Sequence, residues 1–132
     1  MSDAGTPLLS VEHLCVAFGD STLVDDASFT IAPAAKFALV GESGSRKSIT
    51  ALSVMRLVDS ATTTGAIRFE GDDLTQRSEG EMRGVRGRDI AMIFQEPMTA
   101  LNPVMTCGDQ IDEVLAEHTK ASLAERRAKV RA

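Results

Sequence analysis

Lys36 to Met55 reads KFALVGESGSRKSITALSVM, and these twenty residues decide the fold. Phe37-Ala38-Leu39-Val40 is a short apolar run of the length expected for a buried strand. It breaks at Gly41-Glu42-Ser43-Gly44-Ser45, a loop of mostly small residues, and resumes with Ile49, Leu52 and Met55 spaced as on one face of a helix over Lys47 to about Val58. Strand, small-residue loop, Lys-Ser and helix is the context of a phosphate-binding loop. In such a loop backbone N–H groups converge on phosphate oxygens and the helix N-terminus adds partial positive charge. Lys47 then reaches the terminal phosphates and the Ser48 hydroxyl ligates Mg²⁺. The pattern asks for a second glycine directly before the lysine, and Arg46 stands there. Glycine serves at such points because backbone must come close to the ligand or adopt a conformation that a Cβ disfavours. On these residues alone, an ordinary strand–turn–helix stays open beside the phosphate loop.

The 132 residues fit one domain or part of a larger one, and 43% hydrophobic with 25% charged residues is a globular composition. A net charge of −5 speaks against non-specific binding to nucleic acid or anionic membranes. No apolar run reaches the roughly 20 residues that span a bilayer, and the first residues, MSDAGTPLLSVEHL, do not form a secretory signal. Cys15 and Cys107 have no metal-ligand spacing and read as reduced thiols.

Upstream, Leu8 to Phe18 alternates at Leu14, Val16 and Phe18, and Gly19-Asp20-Ser21 is a turn signal. Thr22 to Ile31 gives a second strand interrupted at Asp25-Asp26, so the two form an antiparallel hairpin. His13 reads as an exposed strand residue without a partner. Downstream, Ser60 to Gly65 reads as a loop, Ala66 to Glu70 as a short strand, and Thr75 to Arg88 as a solvated surface helix or loop. Asp89 to Phe94 is a second apolar strand feeding Gln95-Glu96-Pro97, and two such strands suit a parallel α/β sheet. Thr106–His118 and 122–132 read as helices, the latter capped by Ser122 with Glu125 three residues on.

Taken together, VDDASFTI (Val24 to Ile31), ALVGESGSRKS (Ala38 to Ser48), TALSVMRLV (Thr50 to Val58), GAIRFEGDDL (Gly65 to Leu74) and above all DIAMIFQEPMTALNPVMT (Asp89 to Thr106) resemble the N-terminal half of an ABC transporter ATP-binding subunit of the dipeptide/oligopeptide importer group. The resemblance implies an α/β fold with an incomplete P-loop NTPase-like parallel-sheet core, an N-terminal antiparallel β subdomain and the start of a helical subdomain. Residues 1–132 then form one partial ATP-binding domain: 8–35 the antiparallel part, 36–95 the core as far as the Q-loop, and 96–132 the beginning of the helical part. It implies ATP and Mg²⁺ as cofactors. Phe18 is similar to the adenine-stacking aromatic, with a core role in the first sheet as the alternative. Gly41, Glu42, Ser43, Gly44, Ser45, Arg46, Lys47 and Ser48 cradle the phosphates. Gln95 looks like the Q-loop glutamine, which acts beside Mg²⁺ with Ser48. The partners implied are transmembrane permease subunits, met by Gln95–Thr106 with Met98, Leu101, Val104 and Met105 as docking residues, and a second ATP-binding subunit. No nucleic acid is implied. The place implied is the cytoplasmic face of the cell membrane, peripherally bound.

The departures carry expectations of their own. Besides Arg46, Ala35-Lys36 stands where the family usually has Gly-Glu. The family's signature motif, Walker B strand with its catalytic Glu, and switch His do not occur in these residues, and His118 lies on a charged helix. The expectation is an ATP-binding piece of a peptide-import ATPase, without hydrolysis of its own and only marginally folded, because strands that come later in the family's sequences flank both apolar runs. The alternative is a non-hydrolytic interaction module. An unrelated P-loop kinase or GTPase is disfavoured by Asp89 to Thr106.

Overall fold

The computed structural model describes residues 5–132, apart from the side chains of Pro97 and Met98. It is a mixed α/β structure that divides at Arg77/Ser78 into two units.

The first unit is built on an antiparallel sheet of β1 (Leu9–Phe18), β2 (Ser21–Ile31), β3 (Thr62–Phe69) and the two-residue β4 (Asp72–Asp73), in the order β2-β1-β3-β4. Central β1 pairs Val11 with Phe29 on one side and with Ile67 on the other. Its buried apolar residues are Val11, Leu14 and Val16, an odd step followed by an even one. A strict two-residue period would put Leu14 on the opposite face from Val11. The ladder absorbs the slip with a bulge: register shifts between Val11 and Leu14 on the β2 side and between Glu12 and Cys15 on the β3 side. His13 turns there with φ 50°, opposite Asp26 with φ 53°. Gly65 makes the bulge possible, since at φ 100° a Cβ would lie 2.5 Å from the His13 carbonyl oxygen. This corrects the expected loop over Ser60 to Gly65: Thr62 onward is already strand. Asp72-Asp73 pairs with Phe69 and Arg68 across a tight turn at Glu70 (φ 50°) and Gly71 (φ 90°).

Helix α1 (Lys47–Val54) buries Thr50, Ser53 and Val54. It ends earlier than the apolar spacing suggests. Arg56 takes φ 52°, its N–H reaches the Ser53 carbonyl, and the Leu57 N–H reaches the Leu52 carbonyl, which closes the helix in a Schellman motif. The Arg56 guanidinium donates to the carbonyls of Leu74 (3.1 Å) and Arg77 (2.5 Å), so it also anchors the 3₁₀ turn Leu74–Gln76.

The two apolar runs expected as parallel strands are not strands. Phe37 to Val40 has no regular secondary structure, and of Asp89 to Phe94 only Ile90 makes one isolated parallel bridge, to Arg86. An apolar run becomes a strand when a neighbour accepts its backbone hydrogen bonds, and neither run finds a continuous one among the described residues. Val40 is 85% and Ile93 97% exposed.

The second unit holds α2 (Glu79–Val85), α3 (Pro97–Ala100), α4 (Cys107–His118) and α5 (Leu123–Arg131). Helix α2 opens on a Ser78/Glu81 capping box and is less solvated than its charge suggests, burying Met82 and Val85. The Ser122/Glu125 box opens α5 as read. The Arg126 guanidinium forks onto the Asp112 carboxylate at 2.9 and 3.4 Å and joins α5 to α4.

Candidate functional site

The stretch from Gly41 to Ser48 is an exposed loop that runs into the N-terminus of α1. Gly44 turns it with φ 85°, and the Ser45 N–H closes a turn onto the Glu42 carbonyl at 3.0 Å. Arg46 is the residue at the helix N-terminus, with φ 66° and ψ 25°, and no side chain caps the helix there. The orphan N–H groups of the first turn therefore face out of the helix beside the loop. Arginine at a left-handed position costs about 1–2 kcal/mol, which glycine would not. The conformation is left-handed, a region open to side chains at that cost, and not one reserved for glycine.

Lys47 turns back into the loop. Its ammonium donates to the carbonyls of Gly41 and Glu42 and to the Ser45 hydroxyl, the last two at 2.9 Å. Gly41 needs to be glycine for a reason of space: a Cβ there would lie 2.4 Å from Ser45 Oγ. Ser48 is exposed on the first turn of α1, and Glu42 and Ser43 are exposed in the loop. A cavity of about 460 Å³ lies beside this loop, lined by Leu23, Asp25, Phe37, Val40, Ser45 and Lys47 among others. Phe18 does not line it; it ends β1, half-buried, opposite Ser21.

The structure thus gathers Gly41, Glu42, Ser45 and Lys47 into one hydrogen-bonded group, with Arg46 and Ser48 next to it. Gln95 lies in the second unit, exposed at a bend before α3. Beyond it Leu101 and Val104 are exposed and Met105 is half-buried, while the Met98 side chain lies outside the described residues. The loop here is held by Gln110 of α4, which accepts from the Asn102 N–H at 3.0 Å and donates to the carbonyls of Asn102 (3.2 Å) and Met105 (3.3 Å). No sequence pattern pointed to Gln110, because a helical glutamine has no local signature for a clamp eight residues away.

His13 is corrected as well. Its Nδ1 lies 2.6 Å from Asp26 Oδ1 across the bulge, both side chains being exposed, and the Asp26 N–H donates to Cys15 Sγ at 3.3 Å. Among the described residues no group of three or more His, Cys, Asp or Glu side chains is placed to hold a metal ion. None of the described helices is long and apolar enough to cross a membrane.

Comparison with known proteins shows the family of the chain. The ABC transporter family matches residues 24–132. The chain is 46% identical to the dipeptide transport ATP-binding protein DppD of Bacillus subtilis (strain 168), over 93% of this chain and 39% of that protein. It is 48% identical to a putative peptide import ATP-binding protein of Brucella abortus (strain 2308), over 85% of this chain and 36% of that one. It is 44% identical to the oligopeptide transport ATP-binding protein OppD of Bacillus subtilis (strain 168), over 93% of this chain and 37% of the relative. The chain therefore spans less than two fifths of the length of these relatives. With more than three quarters of its residues matched, the chain belongs to the ABC transporter family.

Proposed function

We infer that this chain is the nucleotide-binding N-terminal part of an ATP-binding subunit of an ABC-type peptide importer, in which ATP binding and hydrolysis drive transport through membrane permease subunits. The observation that carries the reading is the exposed loop from Gly41 to Ser48, which holds the Lys47 ammonium on its own oxygens beside an uncapped helix N-terminus. Those are the donors that triphosphate oxygens require. The relatives named for dipeptide and oligopeptide transport supply the substrate class.

On this reading Gly41, Glu42, Ser43, Gly44, Ser45, Arg46 and Lys47 hold the phosphates. Ser48 offers an oxygen donor of the kind Mg²⁺ prefers, and bound Mg²⁺ would supply charge neutralisation on the phosphates; Gln95 is the Q-loop glutamine on the same reading. Phe18 takes the adenine face. The exposed Leu101 and Val104 on Gln95–Thr106 meet the permease, a second ATP-binding subunit completes the site, and the assembly works on the cytoplasmic face of the membrane. The test is a titration with fluorescent ATP and Mg²⁺ against the parent and Lys47→Ala, both checked for folding. A loss of at least about tenfold in affinity is expected for a lysine that bonds phosphate directly. Equal affinity in the two would overturn the site. Capture of the permease subunits by the parent without ATP, lost in Leu101→Asp with Val104→Asp, checks the docking loop.

A further inference from the structure

Lys47 has three ammonium N–H donors, and in this structure its Nζ contacts three loop oxygens: the Gly41 carbonyl, the Glu42 carbonyl and the Ser45 hydroxyl. Two of these are backbone atoms set by the turn between Glu42 and Ser45. The third belongs to a side chain. The same Ser45 hydroxyl lies over Gly41, in the space that a Cβ at 41 would need. Hydroxyl, lysine and missing Cβ thus fit one another.

We propose that Ser45 is a positioning residue that parks the Lys47 ammonium in the loop and so sets how readily the lysine turns to a bound phosphate. The proposal rests on the phosphate-loop reading given above. A parked ammonium has its N–H groups spent, so an incoming anion must take over at least one of them. The two carbonyls are part of the loop itself, whereas Ser45 Oγ can swing away by rotation about the Cα–Cβ bond and so gives up the lysine most easily. Without the hydroxyl the parked state loses one of its charge-assisted bonds and the phosphate-directed state loses none of its own. A serine that merely fills space would alter loop stability and leave the lysine unchanged.

The test reads Lys47 directly. The parent, Ser45→Ala and Ser45→Thr are treated with a limiting amount of an acetylating succinimidyl ester, and modification at each lysine is followed by mass spectrometry. Exposed Lys36, Lys120 and Lys129 serve as internal references. Expected is an increase of about three- to tenfold in Lys47 acetylation for Ser45→Ala, the scale of one ordinary hydrogen bond. Ser45→Thr, which keeps the hydroxyl, should stay near the parent, and the references should not change. Unchanged Lys47 reactivity in Ser45→Ala, or an equal rise in Ser45→Thr, overturns the proposal. A titration of the same proteins with inorganic pyrophosphate separates it from the reading beneath it, with Ser45→Ala expected to bind several-fold tighter. If acetylation responds as expected but no variant binds pyrophosphate, the parking role stands and the phosphate loop falls. If all three bind pyrophosphate alike and acetylation does not respond, the phosphate loop stands and the role of Ser45 falls.

Discussion

Two apolar stretches of the first unit make an instructive pair. Leu14-Cys15-Val16-Ala17-Phe18 and Phe37-Ala38-Leu39-Val40 are similar in composition, yet Leu14 and Val16 are fully buried while Val40 is 85% exposed. The first lies in the central strand, with β2 on one edge and β3 on the other. The second has no ladder, and its Phe37 stacks on Phe29 of β2, with ring centroids 5.0 Å apart. Burial is thus supplied by neighbours, and an apolar run carries only the capacity for it.

The largest expected effect is a direct contrast between the two stretches. Leu14→Ala should cost about 2–5 kcal/mol as a cavity in a closed core, whereas Val40→Ala should change stability by no more than about 0.5 kcal/mol. Urea melts of the two variants check it, and comparable losses would show that Val40 is packed in solution. Next comes the glycine that lets β1 bulge. Gly65→Ala forces a Cβ against the His13 carbonyl at a φ of 100° and should cost about 2–4 kcal/mol, from strain and steric shift together. An unchanged melting temperature would place the bulge elsewhere.

On the phosphate-loop side the expected change is smaller and opposite in sign. Arg46→Gly relieves a left-handed φ of 66° but frees the unfolded chain, leaving a net gain of at most about 1 kcal/mol. MgATP should bind several-fold tighter, because relief of the backbone outweighs the loss of one exposed cation. Equal or tighter binding by the parent in a fluorescent-ATP titration would show that the guanidinium contacts the nucleotide.

The smallest effect is a pH dependence in the sheet. The Arg68 guanidinium, and after it the Ser10 hydroxyl, bond Glu12 and hold its carboxyl below the usual glutamate value. A carboxylate with a depressed folded pKa contributes stability above its unfolded pKa and loses it as pH falls through the folded one. Glu12→Gln should therefore melt slightly below the parent at neutral pH and converge with it in acid. A gap that persists at low pH would assign the effect to packing.

Much of the site was legible because its chemistry is local. The order strand-like run, small-residue loop, Lys-Ser, helix placed Lys47 at the start of α1, and the broken glycine pattern singled out Arg46, which takes a left-handed conformation. The Ser122/Glu125 capping box was legible for the same reason, since its partners are three residues apart. The parity slip between Val11 and Leu14 was also present in the sequence, but as a change of phase that only a bulge explains.

What the residues determined alone is whatever neighbours within about one turn can satisfy: caps, tight turns, the hairpin and the order of elements. Family membership came from the same source, through segments too long to agree by chance. Tertiary structure alone decided which apolar runs become strands, because a ladder needs a partner distant in sequence. It also decided that the Arg56 guanidinium ties the end of α1 to the carbonyls of Leu74 and Arg77, that Gln110 clamps the loop after α3, and that Gly65 yields to a carbonyl more than fifty residues before it. Each of these joins groups that no sequence period relates, and space and hydrogen bonding select them only once the chain has folded.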